Sequence, residues 1–347
     1  MTAAQSAGGR LRAYIEFVVA VFYFFFARSL AHHAAQGLLQ DDWNPLIEQA
    51  MLAFLLIVGY AAMGFWLDRQ AHPVGAQGFP SRDGLATEVG MGLATGWSLA
   101  VICVLPMVVI GGISIVLSGD LASWGWLAAD AAFFALAALV EEVAFRGYGF
   151  QRFERALGPV GASIGFAAYY GLIQSMIPGS GRASFAVAIA FGLVLSTAYL
   201  RTRALWLSWG LNFGWKASRA LLFGLAVNGD SSHSHVIQGD PMGPFRLTGS
   251  AFGLDGSWLA FIVMLCAIPI IFRITRNLDY KYNAPILKPA GIPVDLDAAA
   301  RAQHEAAMGA AEPAPPSLVQ IVAPPAAPPP PTRSTVNPSS GEPTSSD

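Results

Sequence analysis

Runs of roughly twenty apolar residues recur along this chain, each closed by charged or turn-forming residues, and eight of them predict membrane-spanning helices. They cover 13–31, 47–67, 88–117, 122–146, 160–177, 183–200, 204–225 and 257–273. The predicted fold is an all-α membrane protein, a bundle of about eight transmembrane helices. The third run is longer than a span requires and contains Pro106, so a tilt or kink is expected there. Connections are short except from Ala226 to Gly256, a stretch rich in Gly, Ser and Asp. Its length predicts either a cap folded over the bundle or a mobile lid. The apolar pattern ends near Pro289, where Ala, Pro, Ser and Thr take over, including Pro324-Pro325-Ala326-Ala327-Pro328-Pro329-Pro330-Pro331. A segment of that composition cannot bury a core and predicts a disordered, partly polyproline tail. The domain division is therefore 1–121 for the first three helices, 122–225 for a central core and 226–256 for an extramembrane loop. It continues with 257–288 for the last helix and its juxtamembrane segment, and 289–347 for the tail.

The polar residues between the runs carry an orientation. Arg10 and Arg12 precede the first run, Arg69 and Arg82 follow the second, and Arg152 and Arg155 follow the fourth. Arg201 and Arg203 follow the sixth, and Arg273, Arg276 and Lys281 follow the eighth. The alternate loops hold Asp41, Asp42, Asp120, Asp230, Asp240 and Asp255, with Arg182 and Arg246 as the basic exceptions. By the rule that basic residues stay inside, this predicts a multi-pass protein of the cell membrane with both termini cytoplasmic. It also predicts that Glu141, Glu142 and Arg146 lie near the cytoplasmic end of the fourth helix.

Composition agrees with the pattern. The 347 residues are 54% hydrophobic and 12% charged with mean hydropathy +0.49, where a soluble domain has about 25% charged residues. Nine tryptophans fit interfacial anchoring, which makes the lipid bilayer the first partner. A net charge of −2 argues against a nucleic-acid partner. Cys103 and Cys266 fall inside apolar runs, where packing rather than a disulfide is expected. No cleavable signal peptide is evident, because the first run is too long and lacks a small-residue cleavage site after it.

The chemistry gathers at Leu139-Val140-Glu141-Glu142-Val143-Ala144-Phe145-Arg146. Between Trp124 and Val140 the sole charge is Asp130, so two carboxylates and a guanidinium close a nearly uncharged run. Ionised groups in a lipid-length helix are costly unless partnered, which makes them a functional-site hypothesis. Glu142 and Arg146 share one helix face at ion-pair spacing, and Glu141 points about 100° away toward a neighbouring helix. Two later stretches offer partners. One is Tyr170-Gly171-Leu172-Ile173-Gln174, followed by Pro178-Gly179, and the other is Leu205-Trp206 through Leu211-Asn212 to Lys216.

These three stretches resemble the CPBP family of intramembrane metalloproteases, the CAAX-protease and bacteriocin-processing family. The resemblance spans about 122–225. In that family a Glu-Glu-x-x-x-Arg motif on one helix is joined by an aromatic-x-x-x-His motif on the next and a His-x-x-x-Asn motif on a later one. The first Glu and both His hold or face a catalytic water and a divalent metal such as zinc, and the Asn helps to bind the oxyanion. The resemblance implies an intramembrane bundle, peptide-bond hydrolysis near the cytoplasmic face and a membrane protein or peptide as substrate. It assigns site positions to Glu141, Glu142, Arg146, Gln174, Asn212 and Lys216.

At three of those positions the family residue is replaced. Gln174 and Asn212 stand where the family has His, and Lys216 stands where it has Asn. The six histidines, His32, His33, His72, His233, His235 and His304, fall in loops or the tail. Carboxamide oxygens are poor ligands for zinc-type ions, so no metal cofactor is expected. Glu141 and Glu142 against Arg146 and Lys216 sum to zero, which predicts that Lys216 takes the electrostatic place of the metal by pairing with Glu141. Gln174 and Asn212 are expected to hydrogen-bond between helices. The His233-Ser234-His235 segment is expected to be a solvated loop rather than a ligand set. Arg219 is expected to snorkel or to meet lipid headgroups. Two function classes stay open: hydrolysis with Glu141 as base, and a catalytically inactive relative acting as a membrane-embedded binding or scaffold protein.

Overall fold

A bundle in lipid has to satisfy its backbone polar groups within its own helices, and most of the described residues are helical. The computed structural model describes residues 3–36, 38, 41–117, 121–233, 236–278, 301 and 303–305. In chain order the elements are α1 (Ala3–Ala35), α2 (Asn44–Asp68), a single turn α3 (Pro73–Ala76) and α4 (Leu85–Val109). Strand β1 (Ile113–Leu117) precedes α5 (Leu121–Arg146), α6 (Tyr148–Ser175), α7 (Arg182–Thr202) and α8 (Leu205–Ala217). Strand β2 (Ile237–Pro241), a turn α9 (Phe245–Thr248) and α10 (Trp258–Ile274) complete the series. Eight of these helices match the eight apolar runs, so the protein is an all-α protein of membrane type. Segments Gly8–Ala35, Asn44–Asp68, Leu85–Val109 and Arg182–Thr202 are long and apolar enough by themselves to cross a membrane. The compact unit Met1–Pro285 holds all of them. In the second unit, Ile286–Asp347, the described residues Arg301 and Gln303–Glu305 are helical. The rest of the tail, where disorder is expected, lies outside the described residues.

The structure corrects the element boundaries in three places. The third run is not one long helix. Pro106 falls in the last turn of α4, Gly111 takes a left-handed conformation (φ 75°), and the chain leaves as β1. Strand β1 pairs antiparallel with β2, Ile113 opposite Pro241 and Leu117 opposite Ile237. The link between the fourth and fifth runs is helical rather than a loop. It forms the first part of α6, which breaks at Gly158 (φ 82°, ψ 170°) before Pro159. The seventh run ends α8 at Ala217 and continues as a π-helical turn, Ser218–Leu222.

Helices α4 and α8 lie closest together, and glycine is the reason. Gly92 and Gly96 of α4 face the backbone of α8, and Gly210 and Gly214 of α8 face the backbone of α4. A Cβ on Gly96 would stand 2.2 Å from the carbonyl oxygen of Leu211. Both helices carry the Gly-x-x-x-Gly spacing that lets membrane helices touch backbone to backbone. This contact fixes the rotation of α8 and turns Asn212 and Lys216 toward α5.

Long-range polar contacts mark the two ends of the bundle. At one end Arg12 donates to the carbonyl of Leu67 (2.6 Å), Arg152 pairs with Asp68 (2.7 Å) and Arg203 with Glu154 (2.8 Å). There too Arg82 donates to the carbonyl of Thr202 (3.0 Å) and Arg201 to Thr275 (3.0 Å). At the other end His32 pairs with Glu48 (3.0 Å), Trp43 packs at a tilt against Trp126 (5.1 Å), and β1 meets β2. His32 and His33 close α1 itself, rather than lying in a loop. Cys103 is buried, Cys266 is exposed, and both are free thiols.

Candidate functional site

Glu141 and Glu142 occupy the last two turns of α5, where their successive 100° rotation sends them to different neighbours. Glu142 is fully buried. Arg146, one turn on, donates to it at 3.3 Å and to the carbonyl of Gly192 on α7 at 3.1 Å. Arg146 is buried as completely as its partner, so this is an internal ion pair that also ties α5 to α7.

Glu141 meets α8 and α6. Lys216 donates from Nζ to Glu141 Oε1, the pairing that charge balance requires. The second carboxylate oxygen, Oε2, accepts from Asn212 Nδ2 (3.0 Å) and from the Tyr170 hydroxyl (3.4 Å). Asn212 Nδ2 donates to Glu142 Oε1 as well (3.1 Å) and so bridges the two acids. The four charges and the two neutral donors come from α5, α6 and α8, on which all the sequence-predicted site residues lie.

Gln174 departs from its expected role. It turns away from the acids, and its Nε2 donates to Oδ1 of Asn228, in the loop after α8 rather than on another helix. Asn212 does bridge helices as expected. The remaining amide atoms, Gln174 Oε1 and Asn228 Nδ2, are an acceptor and a donor with no hydrogen-bond partner among the described residues.

The loop is a docked cap. Asn228 is held by Gln174, and Asp255 receives Arg219 (2.6 Å) and the indole N–H of Trp215 (3.4 Å). Arg219 lies over the Trp215 ring at 4.3 Å and is buried, so it neither snorkels nor faces lipid headgroups. His233 is likewise not solvated. It stacks on Phe133 at 4.4 Å, with Nδ1 on Asp130 (3.1 Å) and Nε2 on Asp230 (3.3 Å). Burial disfavours its charge, but the two carboxylates outweigh burial and raise its pKa to about 9. Asp230 is held below the usual carboxylate range, chiefly by the hydrogen bond from His233. No spacing rule joined Asn228, Asp255 or His233 to the helices. The only sequence sign was a concentration of polar residues in a loop too long for a simple connection. His235 lies outside the described residues.

A cavity of about 490 Å³ reaches the cluster. Its floor holds Glu141, Lys216, Tyr170 and Gln174, its sides are Leu52, Phe133, Val140, Phe145 and Ile173, and Arg28, Glu48, Asn228 and Asp230 stand around it. Glu141 keeps 24% of its side chain exposed there, whereas Glu142 keeps none.

Fold and cluster together define a class: a helical membrane-type protein with a charge-balanced polar cluster at the base of an apolar cavity. Residues 123–218, from the start of α5 to the end of α8, match the family model described as Rce1-like, type II CAAX prenyl endopeptidase. The matched stretch falls on the same helices whose motifs carry the resemblance. Nothing among curated proteins or solved structures matches the chain.

The donors present do not fit the divalent metal that this kinship implies. Asn212 presents its NH₂ group to two carboxylates, Gln174 is committed to Asn228, and an ammonium stands against Glu141. Metal ligands must offer lone pairs, and a fixed cation one hydrogen bond away opposes a second one. Among the described residues no group of three or more His, Cys, Asp or Glu side chains is arranged to hold a metal ion.

Proposed function

We propose that this protein is a metal-free Rce1-like relative that binds an apolar polypeptide segment in the cavity above Glu141, acting as a membrane-embedded binding protein rather than a metallopeptidase. The Lys216–Glu141 ion pair carries this reading. A general base needs room for a water at its carboxylate, and here three of the roughly four acceptor sites of Glu141 are taken, one by an ammonium and two by an amide and a phenol. The cavity suits a peptide. Its sides are aliphatic and aromatic, and the free acceptor of Gln174 beside the free donor of Asn228 matches the donor and acceptor of one peptide group.

Metal-independent hydrolysis with Glu141 as base is the second reading, supported by the part of its carboxylate that faces the cavity. Metal analysis and a peptidase assay on the purified full chain separate the two. Stoichiometric zinc or cobalt in the wild type, or peptide turnover abolished by Glu141→Ala, overturns the binding reading. The expected results are no bound metal and no turnover dependent on Glu141. The triple variant Gln174→His, Asn212→His, Lys216→Asn is expected to gain one zinc per chain. A benzophenone at Ile177 should cross-link an added apolar peptide, and the yield should fall after Gln174→Leu.

A further inference from the structure

The cavity opens away from the arginine-rich end of the bundle, and the ends differ in charge. Arg10, Arg12, Arg69, Arg82, Arg152, Arg155, Arg201, Arg203, Arg273 and Arg276 gather at or just beyond one end of the helices. The contacts of Arg12 with Leu67, Arg152 with Asp68, Arg82 with Thr202 and Arg203 with Glu154 place these helix termini side by side. The opposite end has Arg28, Arg182 and Arg246 as its exposed basic residues among the described residues, together with the loop bearing Asp230, Asp240 and Asp255.

The residues lining the cavity belong to that second end. They are the late part of α1 (Phe24, Arg28), the early part of α2 (Glu48, Leu52), the last turns of α6 (Gln174, Ile177) and the loop after α8. Toward the arginine-rich end the residues that follow Glu141 along the chain, Glu142, Arg146 and Tyr148, have essentially no exposure and do not line the cavity. Glu141 is close to the end of α5 in sequence, yet its side chain is reached from the other direction.

We infer that the cavity receives its ligand from the non-cytoplasmic side, so that the partner is an apolar polypeptide segment exposed or secreted on that side rather than a cytoplasmic protein tail. The inference rests on the ligand-binding reading for the nature of the occupant. For the direction of access it rests only on charge asymmetry and on which residues line the cavity.

Cysteine labelling of the full chain in intact cells tests it. In a background with Cys103→Ala and Cys266→Ser, single cysteines go in at Ser231 (Ser231→Cys, on the loop), Gln49 (Gln49→Cys, on the cavity wall) and Arg155 (Arg155→Cys, at the arginine-rich end). A membrane-impermeant maleimide is expected to label the Ser231 and Gln49 variants before permeabilisation, and the Arg155 variant only after it. Labelling of the Arg155 variant in intact cells overturns the inference. So does failure of either of the other two to label until the cells are opened. The assay reads access, not metal content or peptide binding, so this inference and the proposed function fail separately.

Discussion

At the Glu141 carboxylate an ammonium holds one oxygen, and a carboxamide with a phenol holds the other. Each partner comes from a different position of the chain, and only Lys216 carries charge. Replacing Lys216 by Met should leave a partly desolvated carboxylate without its cation and lower stability by about 1–3 kcal/mol, less than for a fully buried pair because Glu141 keeps 24% of its side chain exposed. Glu141→Gln in the same chain should restore most of it. The measurement is a double-mutant cycle of unfolding in mild detergent, and strictly additive losses would show that the pair contributes no coupling. The charge logic was legible from residue types, since four ionisable groups in apolar runs had to find one another. The direction of the Gln174 amide was not, because an amide bonds equally well to a helix or to a loop, and only the docked position of Asn228 chose between them.

The element that positions this chemistry is the α4–α8 pair. The two Gly-x-x-x-Gly spacings, Gly92 to Gly96 and Gly210 to Gly214, are legible in the sequence as a packing signal, but the spacing does not say which helix meets which. Their effect is to bring α8 against α4 on one face so that Asn212 and Lys216 lie on the face toward α5. Matched substitutions should separate this role from helix propensity. Gly96→Ala should destabilise by about 1–3 kcal/mol, because its Cβ would overlap the Leu211 carbonyl. Gly90→Ala, with nothing within 4 Å, should instead stabilise by roughly 0.5–1 kcal/mol through propensity. Thermal unfolding of the two variants checks the opposite signs. Equal shifts would mean that the close approach does not matter. The early end of α4 has the same kind of explanation: Pro106 and Gly111 were visible, but whether the residues after them stay helical depended on β2, more than a hundred positions later.

For the whole molecule, the loop after α8 decides how the cavity is covered. His233 sits between Asp130 on α5 and Asp230 in the loop, with Phe133 and Phe134 against its ring. Its pKa rises from 6.5 to about 9 on folding, so its stabilising contribution is complete below pH 6.5 and is lost as pH passes through about 9. Across that interval the wild type should lose more stability than His233→Gln. The variant itself should be weaker at pH 6.5 by about 1.5–3 kcal/mol, the range for hydrogen bonds to charged groups. Unfolding followed at several pH values checks this, and parallel pH profiles would rule out the histidine as the source.

The sequence by itself determined the solvent in which this protein folds, its helical class, the family resemblance of residues 123–218 and the set of charges that must balance inside it. Those properties follow from composition, from apolar run length and from short motifs, all of which are local. Tertiary structure alone decided that the long loop is a docked cap, that Arg219 and His233 are buried partners, and that the cavity around Glu141 is reached from the end away from the arginines. Such outcomes depend on which distant groups meet, and a buried charge constrains only that it finds a partner, not where in the chain the partner lies.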